Sequence, residues 1–261
     1  MRLAIVGAGK MGGAVLTGAL KAGVVQHEDV GIYHPDEGRC QQLAARYQVA
    51  ALNDNEIHHA ERVLIGVKPQ AFESVAPLIA QRGGAYISLM AGVSAETIAK
   101  RVGSQRVVRA MPNLGASIGM SATALTNLPQ ATHEDVQFAQ ALFQAIGSVY
   151  PIAERLFDAF TGLAGSGPAF VGVLAEALAD GGVRVGFSRD VANDLTRQLL
   201  LATAHLLEQK DPAAIKNEVA SAGGTAITGV MSLEANGVRY ALMQAVEQAS
   251  NRATELRKAD D

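Results

Sequence analysis

Apolar residues follow two patterns along the chain, and the first alternates between strand-like and helical segments. Short runs of Val, Ile, Leu and Ala recur early in the sequence and are separated by stretches with helical periodicity. Continuous apolar runs are typical of parallel strands that are buried on both faces. We predict strands at 2–6, 29–33, 62–67, 85–89, 106–110, 118–125 and 147–150, and helices at 10–22, 37–46, 70–81 and 132–145. This alternation indicates βαβ units wound on both sides of one sheet.

The second pattern begins near residue 151, where strand-like runs stop and long helical periods take over. We predict helices at 166–186, 189–209, 212–221, 225–236 and 238–258. Ser188 stands where an N-cap is expected, and Gly186 stands at a helix boundary. The sequence therefore predicts an α/β fold, with an N-terminal Rossmann-type doubly wound sheet over 1–151 and an all-α dimerisation domain over 152–261.

The helical half is rich in Ala and Gly, and such small residues let helices approach one another closely. A slender all-helical unit has much apolar surface to cover, so we expect it to pair with a second copy of the chain as a homodimer. The alternative is a helical bundle that is stable by itself as a monomer.

Composition and charge narrow the class of protein. Hydrophobic residues make up 49% of the chain and charged residues 18%, which is ordinary for a soluble globular protein. The formal net charge of -3 and the lack of a Lys/Arg run argue against a nucleic-acid partner. The single cysteine, Cys40, fits a reducing compartment, and neither a signal peptide nor an apolar run of membrane-spanning length is evident. We expect a cytoplasmic protein with no membrane partner, and no bound metal because the His and Cys residues lack ligand spacing.

A glycine-rich turn follows the first predicted strand and opens the first predicted helix. Gly7 permits a tight turn, Gly9 lets a pyrophosphate approach the backbone, and Gly12 allows close packing of helix on strand. The positive end of the helix would then face the pyrophosphate. The predicted cofactor contacts in this turn are Gly7, Ala8, Gly9, Lys10, Met11 and Gly12. The strand before the turn and the helix after it favour a dinucleotide site over a purely structural turn.

The end of the second predicted strand bears on the choice between NAD and NADP. An NAD site has an acidic residue there to bind the ribose hydroxyls. This sequence has His34, which could donate a hydrogen bond to a 2′-phosphate, and Arg39 follows closely. These residues favour NADP, whereas Asp36 is counter-evidence because its carboxylate could turn back toward a ribose.

Two later strands end at prolines on the edge where ligands bind in such sheets. The first ends at Lys68-Pro69 and the second at Met111-Pro112-Asn113. Proline lacks an N–H and stops the ladder, which leaves neighbouring carbonyl and amide groups to bind a ligand. Each proline taken singly is also an ordinary strand terminator.

Two glycine-containing segments lie in the helical half. In Gly165-Ser166-Gly167-Pro168, the nucleophile elbow of hydrolases is absent because Ala164 stands where that pattern needs glycine, so we expect Ser166 to cap a helix. In Ser221-Ala222-Gly223-Gly224-Thr225, backbone amides at a helix start suit a small carboxylate. The alternative for the second segment is a glycine C-cap followed by a threonine N-cap.

Taken together, these motifs resemble those of the pyrroline-5-carboxylate reductases. The resemblance covers nearly the whole chain and is most specific in the helical half. It rests on G-A-G-K-M-G at 7–12, V-K-P at 67–69, M-P-N at 111–113, G-S-G-P-A at 165–169, A-L-A-D-G-G-V at 177–183, S-A-G-G-T at 221–225 and L-E-x-x-G-x-R at 233–239. It implies hydride transfer from NADPH, preferred over NADH, to the C=N carbon of 1-pyrroline-5-carboxylate, which gives L-proline in the last step of proline biosynthesis. It also implies a dimer unit and suggests a larger ring of dimers, a decamer of ten chains.

The resemblance assigns roles to individual residues. Besides the turn at 7–12, the implied cofactor contacts are His34, Asn53, Val67, Lys68, Pro69, Met90 and Ala91. The implied substrate contacts are Ser221, Gly223, Gly224, Thr225 and Ala226, with Ser221 and Thr225 as the catalytic candidates. The family's loop commonly ends in a threonine whose hydroxyl binds the ring nitrogen, and Ala226 here lacks that hydroxyl. Ala222 and Phe170 also depart from the family's proline and tyrosine.

Two other functions fit parts of the pattern. One is a relative that acts on a hydroxy acid or another imine, which would need a general base such as His205, Lys210 or Lys216. The other is an NADP-binding module without catalysis, for which Ala226 and Phe170 would mark lost chemistry.

Overall fold

The computed structural model describes residues 1–80 and 83–260, with side chains described as far as residue 257. The chain forms two compact units. The first comprises Met1–Gly165 and the C-terminal stretch from Ala249, and the second comprises Ser166–Gln248. The domain division at 151/152 stays a prediction, since compactness divides the chain at 165/166.

The first unit is built on one β-sheet, which contains eight strands in the described part of the chain. The strands are β1 (Leu3–Val6), β2 (Val30–Tyr33), β3 (Ala50–Leu52), β4 (Arg62–Ile65), β5 (Ala85–Ser88), β6 (Val107–Pro112), β7 (Ser121–Asn127) and β8 (Gly147–Pro151). Their order in the described part of the chain is β3-β2-β1-β4-β5-β6-β7-β8, and every adjacent pair is parallel except β6 with β7. The reversal of strand order on either side of β1 is the switch point at which such sheets bind ligands.

Helices cover both faces of this sheet, which confirms the doubly wound fold. They are α1 (Lys10–Lys21), α2 (Glu37–Tyr47), α3 (Pro69–Ile79), α4 (Ala95–Val102), α5 (His133–Gln144) and α6 (Phe157–Phe160), the last followed by a π-helical turn at Thr161–Gly165. One core layer contains Leu16 and Phe143 against one sheet face, and the other contains Phe72 and Ile98 against the opposite face. Strand side chains alternate between the two layers, which explains their continuous apolar runs.

Several predicted bounds differ from the structure. The segment predicted as strand from 118 first forms a 3₁₀ turn, Leu114–Ile118, and β7 begins only after Gly119, whose φ of +74° ends that turn. β3 and α4 were not predicted. β3 is short and largely exposed, and α4 is only eight residues long, so neither shows a long apolar period. The end of the helix predicted at 70–81 lies outside the described residues.

The second unit is helical, as predicted. Its elements are α7 (Gly167–Arg184), α8 (Arg189–Leu207), α9 (Pro212–Val219), α10 (Thr225–Ala235) and the first part of α11 (Val238–Asp260). Gly186 ends the first helix with a φ of +111°, and the Ser188 hydroxyl accepts from Val191 N, which confirms the predicted boundary and cap. The prediction that Ser166 caps α7 is wrong, because Ser166 is itself helical in conformation and makes no capping hydrogen bond.

Large apolar side chains are exposed on the second unit. They include Val173, Leu195, Leu199, Met231 and Met243, each more than half exposed. Exposed apolar surface of this extent is typical of an interface. By length and composition alone, the helical run Glu154–Arg184 is long and apolar enough to span a membrane, a test that helices of soluble proteins also pass.

The C-terminal part of α11 belongs to the first unit and is held there by Asp158. The Asp158 carboxylate accepts from the Thr254 hydroxyl and from Arg257 Nε, each at 3.0 Å. The chain therefore leaves the first unit at Gly165, forms the second unit, and returns to the first unit at Ala249.

A charge cluster at the amino end of the sheet joins three elements around the fully buried Asp135. Its carboxylate accepts from Arg62 Nε at 3.2 Å and from Arg106 Nε at 3.0 Å. Asp135 also forms a reciprocal capping pair with Thr132 at the start of α5. Burial alone would raise the pKa of Asp135, but the hydrogen bonds from Thr132 and Arg106 outweigh it and hold the pKa below its ordinary value.

We expect Asp135→Asn to destabilise the fold by about 3 kcal/mol near neutral pH, because Arg62 and Arg106 lose the buried carboxylate between them and Arg62 keeps its pairs with the exposed Glu61 and Glu134. A lowered pKa in the folded state means that the carboxylate stabilises the fold above its unfolded pKa of about 3.9, and that this contribution is lost as the pH falls through the folded value. Urea unfolding of the wild type and the variant between pH 7 and pH 3 measures the difference.

The difference in unfolding free energy should shrink at the acidic end of that range. Asp194→Asn, which breaks an exposed pair with Arg197, serves as the control and should cost at most about 1 kcal/mol. A pH-independent difference for Asp135→Asn would contradict the assigned role of its charge.

Candidate functional site

The glycine turn lies at the carboxyl end of β1, where packing requires two of its three glycines. Gly7 has a φ of +94°, and a Cβ there would lie 2.6 Å from the backbone of Gly66 and Val67. A Cβ at Gly12 would lie 2.5 Å from the carbonyl oxygen of Gly7. At Gly9, by contrast, a Cβ would meet nothing within 4 Å. The fold itself does not require glycine at position 9, so this residue leaves open the space in which a phosphate would contact the backbone.

The start of α1 is suited to an anion. Gly9 is its N-cap and offers no side-chain hydrogen bond, and its first turn contains no acidic residue. The first N–H groups of a helix have no partners within the helix and carry partial positive charge. The open space beside Gly9 and these amide groups together fit a pyrophosphate.

At the end of β2, the carboxylate of Asp36 is already engaged. Its Oδ1 accepts from Arg39 N at 2.8 Å, which makes Asp36 the N-cap of α2. Its backbone N–H donates to His34 Nδ1 at 3.0 Å. A neutral His34 therefore carries its proton on Nε2, as assigned from this hydrogen bond, and that nitrogen remains a donor.

The loop after β3 presents Asn53 as a donor. Asn53 Oδ1 accepts from the backbone N–H groups of Asn55 and Glu56, each at 3.0 Å, and Glu56 Oε2 accepts from Asn53 N. Among the residues that the structure describes, none accepts from the exposed side-chain amide nitrogen of Asn53, which can therefore donate to a ligand. Beside it, the Tyr33 hydroxyl donates to Asp54 Oδ1 at 2.6 Å. Burial, followed by this hydrogen bond, raises the pKa of Tyr33 to about 12, so the hydroxyl stays protonated and the loop stays attached to β2.

The remaining predicted cofactor residues lie at the ends of the next two strands. Val67 and Lys68 follow β4, and Pro69 is the first residue of α3, where its missing N–H costs no helical hydrogen bond. After β5, Met90 is buried and its N–H donates to Ser88 Oγ at 3.2 Å, while Ala91 is exposed. The structure thus brings all the predicted cofactor residues to the carboxyl ends of five neighbouring parallel strands, β3-β2-β1-β4-β5.

The loop at 221–226 surrounds the start of α10 in the second unit. Gly223 has a φ of +68°, and Gly224 is the N-cap, with no capping side chain. A Cβ on Gly224 would collide with Ser221 Oγ, so the serine hydroxyl lies directly beside this glycine. The threonine N-cap considered as an alternative is not formed, because Thr225 is the first residue inside the helix.

Two threonine hydroxyls near this loop differ in their availability. Thr228 Oγ1 donates to Gly224 O at 3.1 Å and is therefore engaged. Within the part of the chain that the structure describes, the exposed Thr225 hydroxyl has no protein partner. Ala226, which is half-buried, contributes only a methyl group and its backbone amide.

Comparison with known proteins gives two family matches. Residues 154–256 match the model of the pyrroline-5-carboxylate reductase dimerisation domain. Residues 2–92 match the model of the coenzyme F420-dependent NADP oxidoreductases. The oxidoreductase model thus matches the first part of the sheet, and the dimerisation model matches the helical segments that follow the sheet.

Two relatives that this chain matches over nearly their whole length are pyrroline-5-carboxylate reductases. The pyrroline-5-carboxylate reductase of Thermus thermophilus is 49% identical over 100% of both chains. That of Pisum sativum is 36% identical over 97% of this chain and 95% of the relative.

Solved structures agree with these relatives. A pyrroline-5-carboxylate reductase from Streptococcus pyogenes is 32% identical, with a TM-score of 0.86 over 98% of both chains. A Plasmodium falciparum pyrroline carboxylate reductase with NADP bound is 25% identical, with a TM-score of 0.85 over 98% of both chains. The open glycine turn, the uncapped start of α10 and a 49% identical relative over the whole length lead to one conclusion. The chain belongs to the pyrroline-5-carboxylate reductase family.

Proposed function

We propose that this protein reduces the C=N bond of 1-pyrroline-5-carboxylate to give L-proline, with NADPH as the hydride donor. The observation that carries the proposal is the open backbone at Gly9 in a chain that matches this family from end to end. A hydride passes from the nicotinamide to the imine carbon, and the ring nitrogen of a protonated imine becomes the amine. Such an imine is already a good acceptor, so the protein's contribution is chiefly to position donor and acceptor carbons.

The residues at 7–12 would hold the pyrophosphate, and Asn53 would donate to the adenosine ribose. His34 Nε2 and the Arg39 side chain would bind the 2′-phosphate, which supports NADPH over NADH. The engagement of Asp36 with Arg39 N supports this preference, because the carboxylate that would otherwise bind a ribose is held as a helix cap. The segments Val67–Pro69 and Met90–Ala91 would contact the nicotinamide half, since β4 and β5 continue the sheet in that direction.

The substrate carboxylate would bind at the start of α10. Ser221 Oγ and the amides of Gly223, Gly224 and Thr225 supply donors there, and the uncapped helix end favours a negative charge. Because Thr228 is engaged with Gly224 O and Ala226 has no hydroxyl, Thr225 is the residue whose hydroxyl can take the position beside the ring nitrogen. This assignment makes Thr225 and Ser221 the catalytic pair.

The assembly we propose is a homodimer formed through the helical unit. Its exposed apolar side chains would be buried in such an interface, and residues 154–256 match a dimerisation domain. Five such dimers in a ring would give a decamer, which the resemblance implies. Light scattering in solution distinguishes the two sizes.

We place the enzyme in the cytoplasm, without a nucleic-acid or membrane partner.

The function is tested with purified protein, pyrroline-5-carboxylate and NADPH, followed by the nicotinamide absorbance. Turnover supports the proposal. Turnover with hydroxy acids alone would instead assign the chain to another dehydrogenase class, and folded protein that binds NADPH without turnover would make it a binding module.

We expect Gly9→Ala to weaken NADPH binding by about tenfold or more while leaving the fold intact, because its methyl group would enter open space that the pyrophosphate needs. Fluorescence titration with NADPH and thermal unfolding of the apo protein measure the two effects. Gly12→Ala is the contrasting variant, since its methyl group would collide with Gly7 O and lower stability. Unchanged NADPH affinity in Gly9→Ala would refute the pyrophosphate site.

We expect His34→Leu to lower kcat/KM for NADPH by about tenfold, the effect of losing one hydrogen bond to a charged group. NADH lacks the 2′-phosphate, so its kcat/KM should change little. Steady-state kinetics with both cofactors give the ratio, and His133→Leu, an exposed histidine on α5, provides the control. Equal losses with both cofactors would contradict the phosphate contact.

We expect Gly224→Val to raise the KM for pyrroline-5-carboxylate by about tenfold or more, because its side chain would displace Ser221 Oγ and block the carboxylate. NADPH affinity should stay nearly constant. Gly229→Ala, in open space on the same helix, is the matched control for effects on α10 itself. The assignment of this loop is wrong if NADPH binding collapses while the substrate KM is unaffected.

A further inference from the structure

Asn113, the last residue of the M-P-N motif, uses its whole side chain inside the protein. Its Oδ1 accepts from Gly115 N at 3.1 Å and from Ala122 N at 3.2 Å, and its Nδ2 donates to Ala164 O at 2.9 Å. The first contact caps the 3₁₀ turn Leu114–Ile118, and the second connects the end of β6 to the start of β7. The third reaches a carbonyl in the π-helical turn Thr161–Gly165, far along the chain.

The carbonyl of Ala164 needs a donor because of Pro168. A carbonyl accepts from the N–H four residues later in an α-helix and five residues later in a π-helix, and for Ala164 the first of these positions is Pro168, which has no N–H. The next amide, that of Ala169, donates to Ser166 O at 2.9 Å instead. The G-S-G-P motif therefore leaves the Ala164 carbonyl without a helical donor, and the M-P-N motif supplies one from the sheet.

We infer that Asn113 is a positioning residue of the reductase, which acts through the backbone and touches neither substrate nor cofactor. It fixes the π-helical turn from which the chain passes into α7, and it anchors that turn to β6. The strand next to β6 is β5, whose carboxyl end carries the proposed contacts Met90 and Ala91. This inference rests on the proposed function, since it relates the turn to turnover.

The decisive variant is Asn113→Asp. It keeps an Oδ1 acceptor for Gly115 N and Ala122 N but places an oxygen opposite Ala164 O, so it removes only the third hydrogen bond. Small misplacements cost large factors in rate, and we expect kcat to fall by about tenfold, with the KM for NADPH changed less than twofold.

Pro168→Ala provides the rescue. The new N–H at position 168 can serve the Ala164 carbonyl, so the double variant N113D/P168A should recover most of the lost kcat. Pro168→Ala alone should have a small effect, because Ala164 O already has a donor. Such non-additive effects on kcat are expected when two groups can donate to the same acceptor.

Asn127→Asp is the matched control. Asn127 Nδ2 also donates to a backbone carbonyl, Leu128 O, at 2.9 Å, and this bond is unrelated to position 168. Its effect should be the same with and without Pro168→Ala. If N113D and P168A combine additively, as N127D and P168A do, the inference is overturned.

A second readout does not depend on turnover. Amide hydrogen exchange in the segment 161–167 of the apo protein should accelerate in N113D and slow again in the double variant. Asn113→Ser, which removes the Nδ2 donor and the Oδ1 acceptor together without adding charge, replaces N113D if the latter does not fold, and recovery by P168A then measures the part of the loss that belongs to the Ala164 carbonyl. If the wild type fails to reduce pyrroline-5-carboxylate, the proposed function fails, while the exchange experiment still decides whether Asn113 and Pro168 serve the same carbonyl.

Discussion

The close approach of backbone to backbone between Gly7, Gly12 and Gly66 is the constraint on which the first unit depends. A Cβ at any of the three would come within 2.7 Å of another's backbone atoms. Because these three residues have no side chains, three segments can meet here: the end of β1 at Gly7, the loop after β4 at Gly66, and the first turn of α1 at Gly12. That meeting aims the amide groups of α1 into the space beside Gly9, where the fold places nothing. The packing requirement and the binding requirement are therefore met by different glycines of one motif.

Next to these glycines, at the carboxyl ends of β2 and β3, polar side chains hydrogen-bond to backbone N–H groups and so fix the loops. Asp36 caps α2 by accepting from Arg39 N. Asn53 and Glu56 each accept, through a side-chain oxygen, from the backbone N–H of the other, and the Tyr33 hydroxyl donates to Asp54. Each carboxylate in this set accepts a hydrogen bond from a protein donor. An edge that is acidic in sequence thus has carboxylates engaged within the protein, which supports the phosphate contact proposed for His34.

Much of the first unit was predictable because its signals are local. The Val-Ile-Leu runs of β1, β4 and β6 reflect burial on both faces, and the glycines at 7, 9 and 12 have a meaning that depends only on neighbouring residues. The capping role of Asp36 was not predicted, although Arg39 stands three positions later, because a carboxylate can bind a ribose or a helix end and the sequence does not decide between them. The pairing of Asn113 with Ala164 could not be predicted either, since it joins residues 51 positions apart through a shared edge of the fold. The missing cap at Ser166 has a local origin instead, because a π-helical turn ends directly before it and Ser166 is already helical in conformation.

The return of α11 to the first unit affects how the protein can be made. Asp158 hydrogen-bonds to Thr254 and Arg257, which lie 96 and 99 residues later in the chain, so the first unit lacks these contacts until the helical segment between them has been synthesised. During synthesis, the sheet can assemble early while the helical unit emerges as a loop between two segments of the same unit. The last turns of α11 then close the structure, and a nascent chain released before them would carry an acidic side chain at Asp158 with no basic partner from that helix.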